Sequence, residues 1–373
     1  MIRIQTLIAA GLVFWTASAN AETYQAVSLL PPTNLLVEIP LTDWSKEISK
    51  ATDGRFEFKI HAGGALLGAG TTLPGLKDGV AQIGFVAAAY YPKNFPRNNA
   101  VDDTSFMHTN LMSLAFAYTE FVMETPDMRK EWEDNGLVFI AGMNTPLYQL
   151  FCRSPIYELS DLAGKKIRTP GALLTRFSES VGATPVNAPF SEAYVGLERG
   201  AIDCVAADTT TLVSSRFMEV AKHVVTLDLG SYFLGTPWAL SAKFWKDLSI
   251  EDRSTFLSVT ARSLVRLEQA YIEALENAVE VAKANGVNFP ETKPELAAAK
   301  QVFIDNDMGG GLEIVKTTLG VENAEIYRAD LDTLVTKWDS LLANVDRTDE
   351  DALVALLMQE IYNDVSPTTY GVH

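Results

Sequence analysis

A faint pattern occurs twice in this chain, and it bears directly on what the chain can fold into. Leu76-Lys-Asp-Gly79-Val-Ala-Gln82-Ile-Gly-Phe-Val-Ala-Ala88 is matched by Leu197-Glu-Arg-Gly200-Ala-Ile-Asp203-Cys-Val-Ala-Ala207. Each copy reads as a helix ending at a glycine that can take left-handed geometry, followed by a short apolar strand. Tyr90 and Tyr91 come after the first strand, and Thr209 to Thr211 after the second. Helix–glycine–strand is common by itself; a chain made of two α/β lobes of similar design would carry it twice. The length, 373 residues, suits two domains of ordinary size.

The composition narrows the class. With 47% hydrophobic and 21% charged residues the chain is globular in character. Its formal charge of −17 argues against nucleic-acid binding, which needs a basic face. An anionic ligand would have to be drawn in by local positive charge. Arg3, the apolar run Leu7–Trp15 and the small residues Ala19-Asn20-Ala21 have the layout of a secretory signal peptide over residues 1–21. The expectation is export to the periplasm, with cleavage near Ala21. No segment is long and apolar enough to span a membrane.

Cys152 and Cys204 each sit in a strand-like run. In an exported protein two cysteines on neighbouring strands would form a disulfide; the alternative is a pair of buried thiols. His61, His108, His223 and His373 have no metal-ligand spacing. No dinucleotide fingerprint, phosphate loop or nucleophile elbow is present, and the glycines of Gly63–Gly70 read as a flexible connection. Asp102-Asp103 reads as a solvated loop. Nothing supplies a nucleophile, base or metal cluster, so no enzyme and no cofactor are expected.

The chemistry that is present centres on Arg168. Lys166–Thr169 reads as a strand stopped by Pro170-Gly171, with an amphipathic run from Ala172 to Val181 behind it. This places a guanidinium at the carboxyl end of a strand, where α/β sheets bind ligands. A guanidinium can pair with a carboxylate through two parallel hydrogen bonds.

Around Arg168 the chain runs on through Gly182-Ala-Thr-Pro-Val186, Pro189-Phe-Ser-Glu-Ala-Tyr194, Leu197–Gly200 and Ala201-Ile-Asp-Cys204, and later through Glu219–Lys222 and Lys243-Phe-Trp245. Together with Gly54–Ile60, this ordered set resembles the periplasmic solute-binding proteins of TRAP transporters, the DctP-like family. The resemblance covers most of the chain after residue 22. It implies an α/β, two-lobed periplasmic-binding-protein fold with a long helix bridging the lobes. It also implies that Arg168 grips the carboxylate of an organic acid, and that the partner is a TRAP membrane permease. Two departures stand out. Leu147 takes the place of a second arginine, and Asp203-Cys204 runs on to Ala206-Ala207 where many members have Glu-Asn. This disfavours a dicarboxylate and leaves one strong cation with a more apolar wall.

The expected layout is a first lobe over residues 22–143, a second over 144–248 and a helical region over 249–373 packing on both. The second lobe would hold strands around Leu150, Ile167, Val186, Val205 and Ala239. Glu251–Asn285 carries apolar residues spaced by three, four or seven and would span the lobes if unbroken. Gly309–Gly311 is expected in a loop. The expected ligand set is Arg168, Asp208, Phe190, Tyr90, Tyr91, Asn34, Asn144, Phe233 and Trp238, with the alternative for Asp208 of capping the turn over Thr209–Thr211. The expected function is a receptor for a small monocarboxylate with an apolar or aromatic part. An ABC-type or sensor-linked binding protein is the rival, and a periplasmic enzyme comes third.

Overall fold

The computed structural model describes residues 22–372; the signal peptide expected over residues 1–21 lies outside them. In chain order the strands are β1 (Glu22–Val27), β2 (Phe56–His61), β3 (Ile83–Ala87), β4 (Leu137–Phe139), β5 (Tyr148–Cys152), β6 (Lys166–Arg168), β7 (Thr184–Val186), β8 (Cys204–Asp208), β9 (His223–Val225) and β10 (Gly235–Ser241). They form two five-stranded sheets of matching order, β2-β1-β3-β10-β4 and β7-β6-β8-β5-β9. In each sheet the first three strands are parallel and the last two antiparallel to their neighbours.

The duplicated pattern maps onto equivalent places. Helix Thr72–Asp78 ends at Gly79 (φ 84°) and leads to β3; helix Phe190–Arg199 ends at Gly200 (φ 72°) and leads to β8. Each strand is central in its sheet. The strand around Ala239, expected in the second lobe, is β10 and lies in the first sheet between β3 and β4. The chain leaves the first lobe after β4, builds the second, and returns as β10. Its apolar run would suit the middle of either sheet, and only long-range pairing decides which.

Helix Ile250–Ala284 is unbroken over 35 residues, about 50 Å at 1.5 Å per residue. The Ser249 hydroxyl caps its start by accepting from the Asp252 N–H. Phe256, Leu257 and Leu264 pack into the first lobe's core, and Ala282 packs with Phe151 and Val224 in the second. The helical stretch over residues 112–135, expected to be interrupted near Pro126, is broken there into Leu111–Glu124 and Pro126–Asp134. Gly309–Gly311 is not a loop but lies within helix Ala299–Ile314. A Cβ on Gly311 would overlap Asp103 and Arg176, so glycine here admits a close approach rather than a turn.

Candidate functional site

The carboxyl ends of β3 and β8 face a narrow cleft between the lobes. Leu30, Asn34, Leu36, Phe85, Ala87 and Tyr90 line it from the first lobe. Tyr148, Arg168, Pro170, Phe190, Asp208 and Thr211 line it from the second. Thr145 and Tyr232 come from the segments that cross between the lobes, and Tyr271 from the long helix. A mostly apolar wall with a few convergent polar groups is usual for a small-molecule site.

Arg168 ends β6 and is 1% exposed. Its Nε donates to the Ala188 carbonyl at 2.8 Å, and one Nη2 hydrogen goes to the Tyr90 hydroxyl at 3.1 Å. The guanidinium lies 5.6 Å from the centre of the Phe190 ring, within cation–π range. Among the described residues no carboxylate lies within ion-pair distance of it, and its remaining N–H groups have no protein acceptor. A buried cation left without an anion is costly, so the site is built for a negative group from outside the chain.

Tyr90 stands across the cleft from Arg168. Its oxygen accepts from Arg168 and, at 3.0 Å, from the Phe190 N–H. Two accepted bonds use both lone pairs of a phenol oxygen, and no acceptor for its own proton is found among the described residues. The Tyr90 O–H is therefore a spare donor beside the spare donors of Arg168. Both bonds join the lobes, as does the Thr33 hydroxyl donating to the Ser214 carbonyl at 2.6 Å.

Asp208, at the end of β8, both caps a turn and faces the cleft. Its Oδ1 accepts from the Thr210 N–H at 3.0 Å and from the Thr210 hydroxyl, so it caps the following turn. It also lines the cavity. Burial pushes its carboxyl up to about 6, against the pull of the Thr210 hydrogen bonds. Burial likewise raises the Tyr148, Tyr232 and Tyr271 phenols, which stay neutral.

Four expected residues lie elsewhere. The Tyr91 hydroxyl is turned into its own lobe, where it bonds the Ala69 carbonyl and accepts from Leu73 N–H at 3.2 Å. Phe233 is wholly buried against Tyr118, with ring centres 5.1 Å apart. Trp238 on β10 is in the first lobe's core. Asn144 lines a separate cavity behind the crossing segments, together with Leu147 and Asp228. Along extended chain, neighbouring side chains alternate in direction, so Tyr232 reaches the cleft where Phe233 cannot. Likewise Tyr148 enters it and Leu147 does not. Reading that alternation would have found Tyr148. Nothing local marks Tyr271, which depends on where the long helix crosses the cleft. Asn34 does line the cleft, with its side-chain oxygen capping the helix that starts at Leu35.

Cys152 and Cys204 form a disulfide and face each other in the β5–β8 ladder. It ties together the two second-lobe strands that end in Tyr148 and Asp208.

Residues 29–305 match the family described as bacterial extracellular solute-binding protein, family 7 (DctP), and the chain belongs to it. The fold is that of the TRAP periplasmic solute-binding proteins. A marine metagenome TRAP protein specific for aromatic acids, in complex with metahydroxyphenylacetate, superposes with a TM-score of 0.73 at 20% identity, covering 85% of this chain and 99% of the other. A Rhodoferax ferrireducens TRAP protein with copurified benzoate gives 0.72 at 19%, covering 86% and 99%. A solute-binding protein of Albidiferax ferrireducens is 23% identical over 221 residues, 59% of this chain and 64% of that one. The chain spans between 43% and 76% of the length of the curated relatives it matches.

Proposed function

We propose that the chain is an extracytoplasmic receptor that closes on a small monocarboxylate with an aromatic or cyclic body and hands it to a TRAP membrane permease. The observation that carries this reading is Arg168: a buried guanidinium with unused donors, no protein carboxylate beside it, and the free Tyr90 hydroxyl alongside. A carboxylate seated there would accept from both lobes at once. Phe85, Phe190, Tyr148, Tyr232 and Tyr271 supply flat apolar surface for a ring. With Leu147 turned away, no second cation among the described residues lines the cleft, which favours one carboxylate over two. The structural neighbours that hold benzoate and metahydroxyphenylacetate support the same ligand class. Asp208 is placed to accept from a hydroxyl or ammonium on the ligand. Residues 1–21 would direct export, and sequencing of the exported protein should begin at Glu22.

The test is a thermal-shift screen followed by calorimetry. It should include benzoate, 3-hydroxyphenylacetate, mandelate and pyroglutamate, with succinate and benzamide as controls. A ligand at about 100 times its dissociation constant adds roughly 2.7 kcal/mol, enough for a clear rise in melting temperature. The expected result is a rise with one or more monocarboxylates and none with benzamide. A larger rise with succinate would overturn the monocarboxylate reading, and the same rise with benzamide would overturn the carboxylate reading altogether.

A further inference from the structure

Asp102 and Asp103 begin a short strap, Asp102–Phe106, that leaves the first lobe behind β3 and runs onto the second. Phe106 anchors it there, 6.0 Å from Phe177 and 5.7 Å from Phe303. The strap is not the solvated loop its sequence suggests. Asp103 is 3% exposed and held by two arginines: Arg176 Nη2 at 2.7 Å from its Oδ1 and Arg328 Nη2 at 2.8 Å from its Oδ2. Arg176 Nε also stands 3.0 Å from Asp307. Gly311 keeps helix Ala299–Ile314 close over this group, because any side chain there would overlap Asp103 and Arg176.

Asp102 points the other way. Its Oδ2 accepts from the Leu173 N–H at 3.1 Å, in the first turn of helix Gly171–Ser180. That helix starts just after Arg168-Thr169-Pro170. Gly171 has φ +79°, and a Cβ there would come within 3.1 Å of the same Asp102 oxygen. On its other side the turn is fixed by Thr169 N–H donating to the Val186 carbonyl at 3.1 Å. The turn that follows the guanidinium is thus held by the second lobe's own sheet and, opposite, by one carboxylate from the strap.

We propose that Asp102 is a positioning residue: it holds the start of helix Gly171–Ser180 and, through the Thr169–Gly171 turn, fixes the aim of Arg168. Its effect on ligand affinity rests on the reading of Arg168 as the carboxylate anchor; its hold on the turn does not. The charge balance adds a signature. Asp102, Asp103 and Asp307 face Arg176 and Arg328, so the group is balanced when one acid is protonated. Asp102 is only partly buried as a whole residue, but its carboxyl group lies deep among protein atoms. That burial, with Asp103 beside it, pushes it up to about 7 against the pull of Leu173 N–H, Arg176 and Arg328. A folded-state value above the ordinary carboxylate range means stability is lost as pH rises from about 4 to about 7.

The test uses the full exported chain as wild type, Asp102→Ala and Asp102→Asn. Amide exchange at Leu173 should speed up at least roughly fivefold in Asp102→Ala, the scale of a lost cap, and return to near wild type in Asp102→Asn, whose amide oxygen accepts the same N–H. The melting temperature of Asp102→Asn relative to wild type should rise steadily as pH goes from about 4 to about 7 and level off above that. Benzoate affinity should weaken roughly fivefold in Asp102→Ala and hold in Asp102→Asn. Unchanged Leu173 exchange in Asp102→Ala, or an identical melting-versus-pH curve in Asp102→Asn and wild type, would overturn the proposal. The exchange and melting arms decide it even if wild type binds no acid, an outcome that would count against the proposed function alone. If Asp102→Ala does not fold, Leu173 exchange in Asp102→Leu, which keeps the volume and lacks the acceptor, decides instead.

Discussion

The two lobes share a sheet order but divide the work unequally. All five described tryptophans (Trp44, Trp132, Trp238, Trp245 and Trp338) belong to the first lobe's core, and no disulfide staples that lobe. The second lobe has two smaller apolar clusters, one on each face of its sheet, and the Cys152–Cys204 bond. The same lobe buries the charged groups of the cleft, Arg168 and Asp208, whereas the first lobe contributes apolar wall, Asn34 and the Tyr90 hydroxyl. Burying charge destabilises a small lobe, and a covalent staple offsets this where a large core does not. The division also suits the proposed receptor: the lobe with the cation would hold an acid by itself, and the lobe with the hydroxyl would reach that acid only with the cleft shut.

The sharpest way to break this comparison is to remove the cation. Arg168→Ala should weaken binding of the best acid by about 2–5 kcal/mol, because the ligand carboxylate would then be buried without its partner. Arg168→Lys should recover only part, since an ammonium cannot make the forked contact. Calorimetry, with melting to check the fold, measures both; wild-type affinity in a folded Arg168→Ala protein would end the case for this anchor.

Next in size is the staple. A Cys152→Ser/Cys204→Ser double variant should lose about 2–4 kcal/mol in denaturant unfolding. If the second lobe melts first, the unfolding curve should split, with tryptophan fluorescence from the first lobe lagging behind. Coincident transitions would show that the lobes unfold together despite their different cores.

A smaller effect is expected at Tyr90. Tyr90→Phe keeps the ring and removes the hydroxyl that joins the lobes, so affinity should fall roughly tenfold, with most of the change in the off-rate. An equal loss in the on-rate would argue that the hydroxyl acts before closure.

The smallest effect concerns Asp208. Its value of about 6 lies above the ordinary carboxylate range, so the folded state holds a proton that the unfolded chain releases at lower pH. Its contribution to stability therefore falls as pH rises from about 4 to about 6 and is flat above that. Melting of Asp208→Asn should lack that slope, while the separate fall toward pH 7 assigned to Asp102 should remain. A slope unchanged in Asp208→Asn would mean the carboxyl is not titrating in the cleft.

Much of this molecule can be read along the chain. The repeat named two similar lobes because a glycine-capped helix leading into a small-residue strand is a local arrangement. Pro170-Gly171 after a short strand placed Arg168 at a strand end for the same reason, and the spacing along Glu251–Asn285 announced the long helix. What could not be read depended on which distant segments meet. Ala239 went to the wrong lobe because pairing of β10 with β3 and β4 is a long-range event. Tyr91, Phe233 and Trp238 were assigned to the cleft because an aromatic residue looks the same in sequence whether it faces a core or a ligand. Tyr232 and Tyr271 were missed for the converse reason, since the crossing segments and the long helix acquire a cleft-facing side only after both lobes are built. Asp102-Asp103 look like solvent-facing acids because their partners, Leu173 N–H for Asp102 and Arg176 and Arg328 for Asp103, are far away in sequence. The sequence by itself determined the local units and the residue types that can carry charge chemistry, because helix ends, turns and strand periodicity arise from neighbours along the backbone. Only the tertiary structure decided which of those residues share a cavity and which arginine keeps its donors free, because burial and pairing are properties of segments brought together from across the chain.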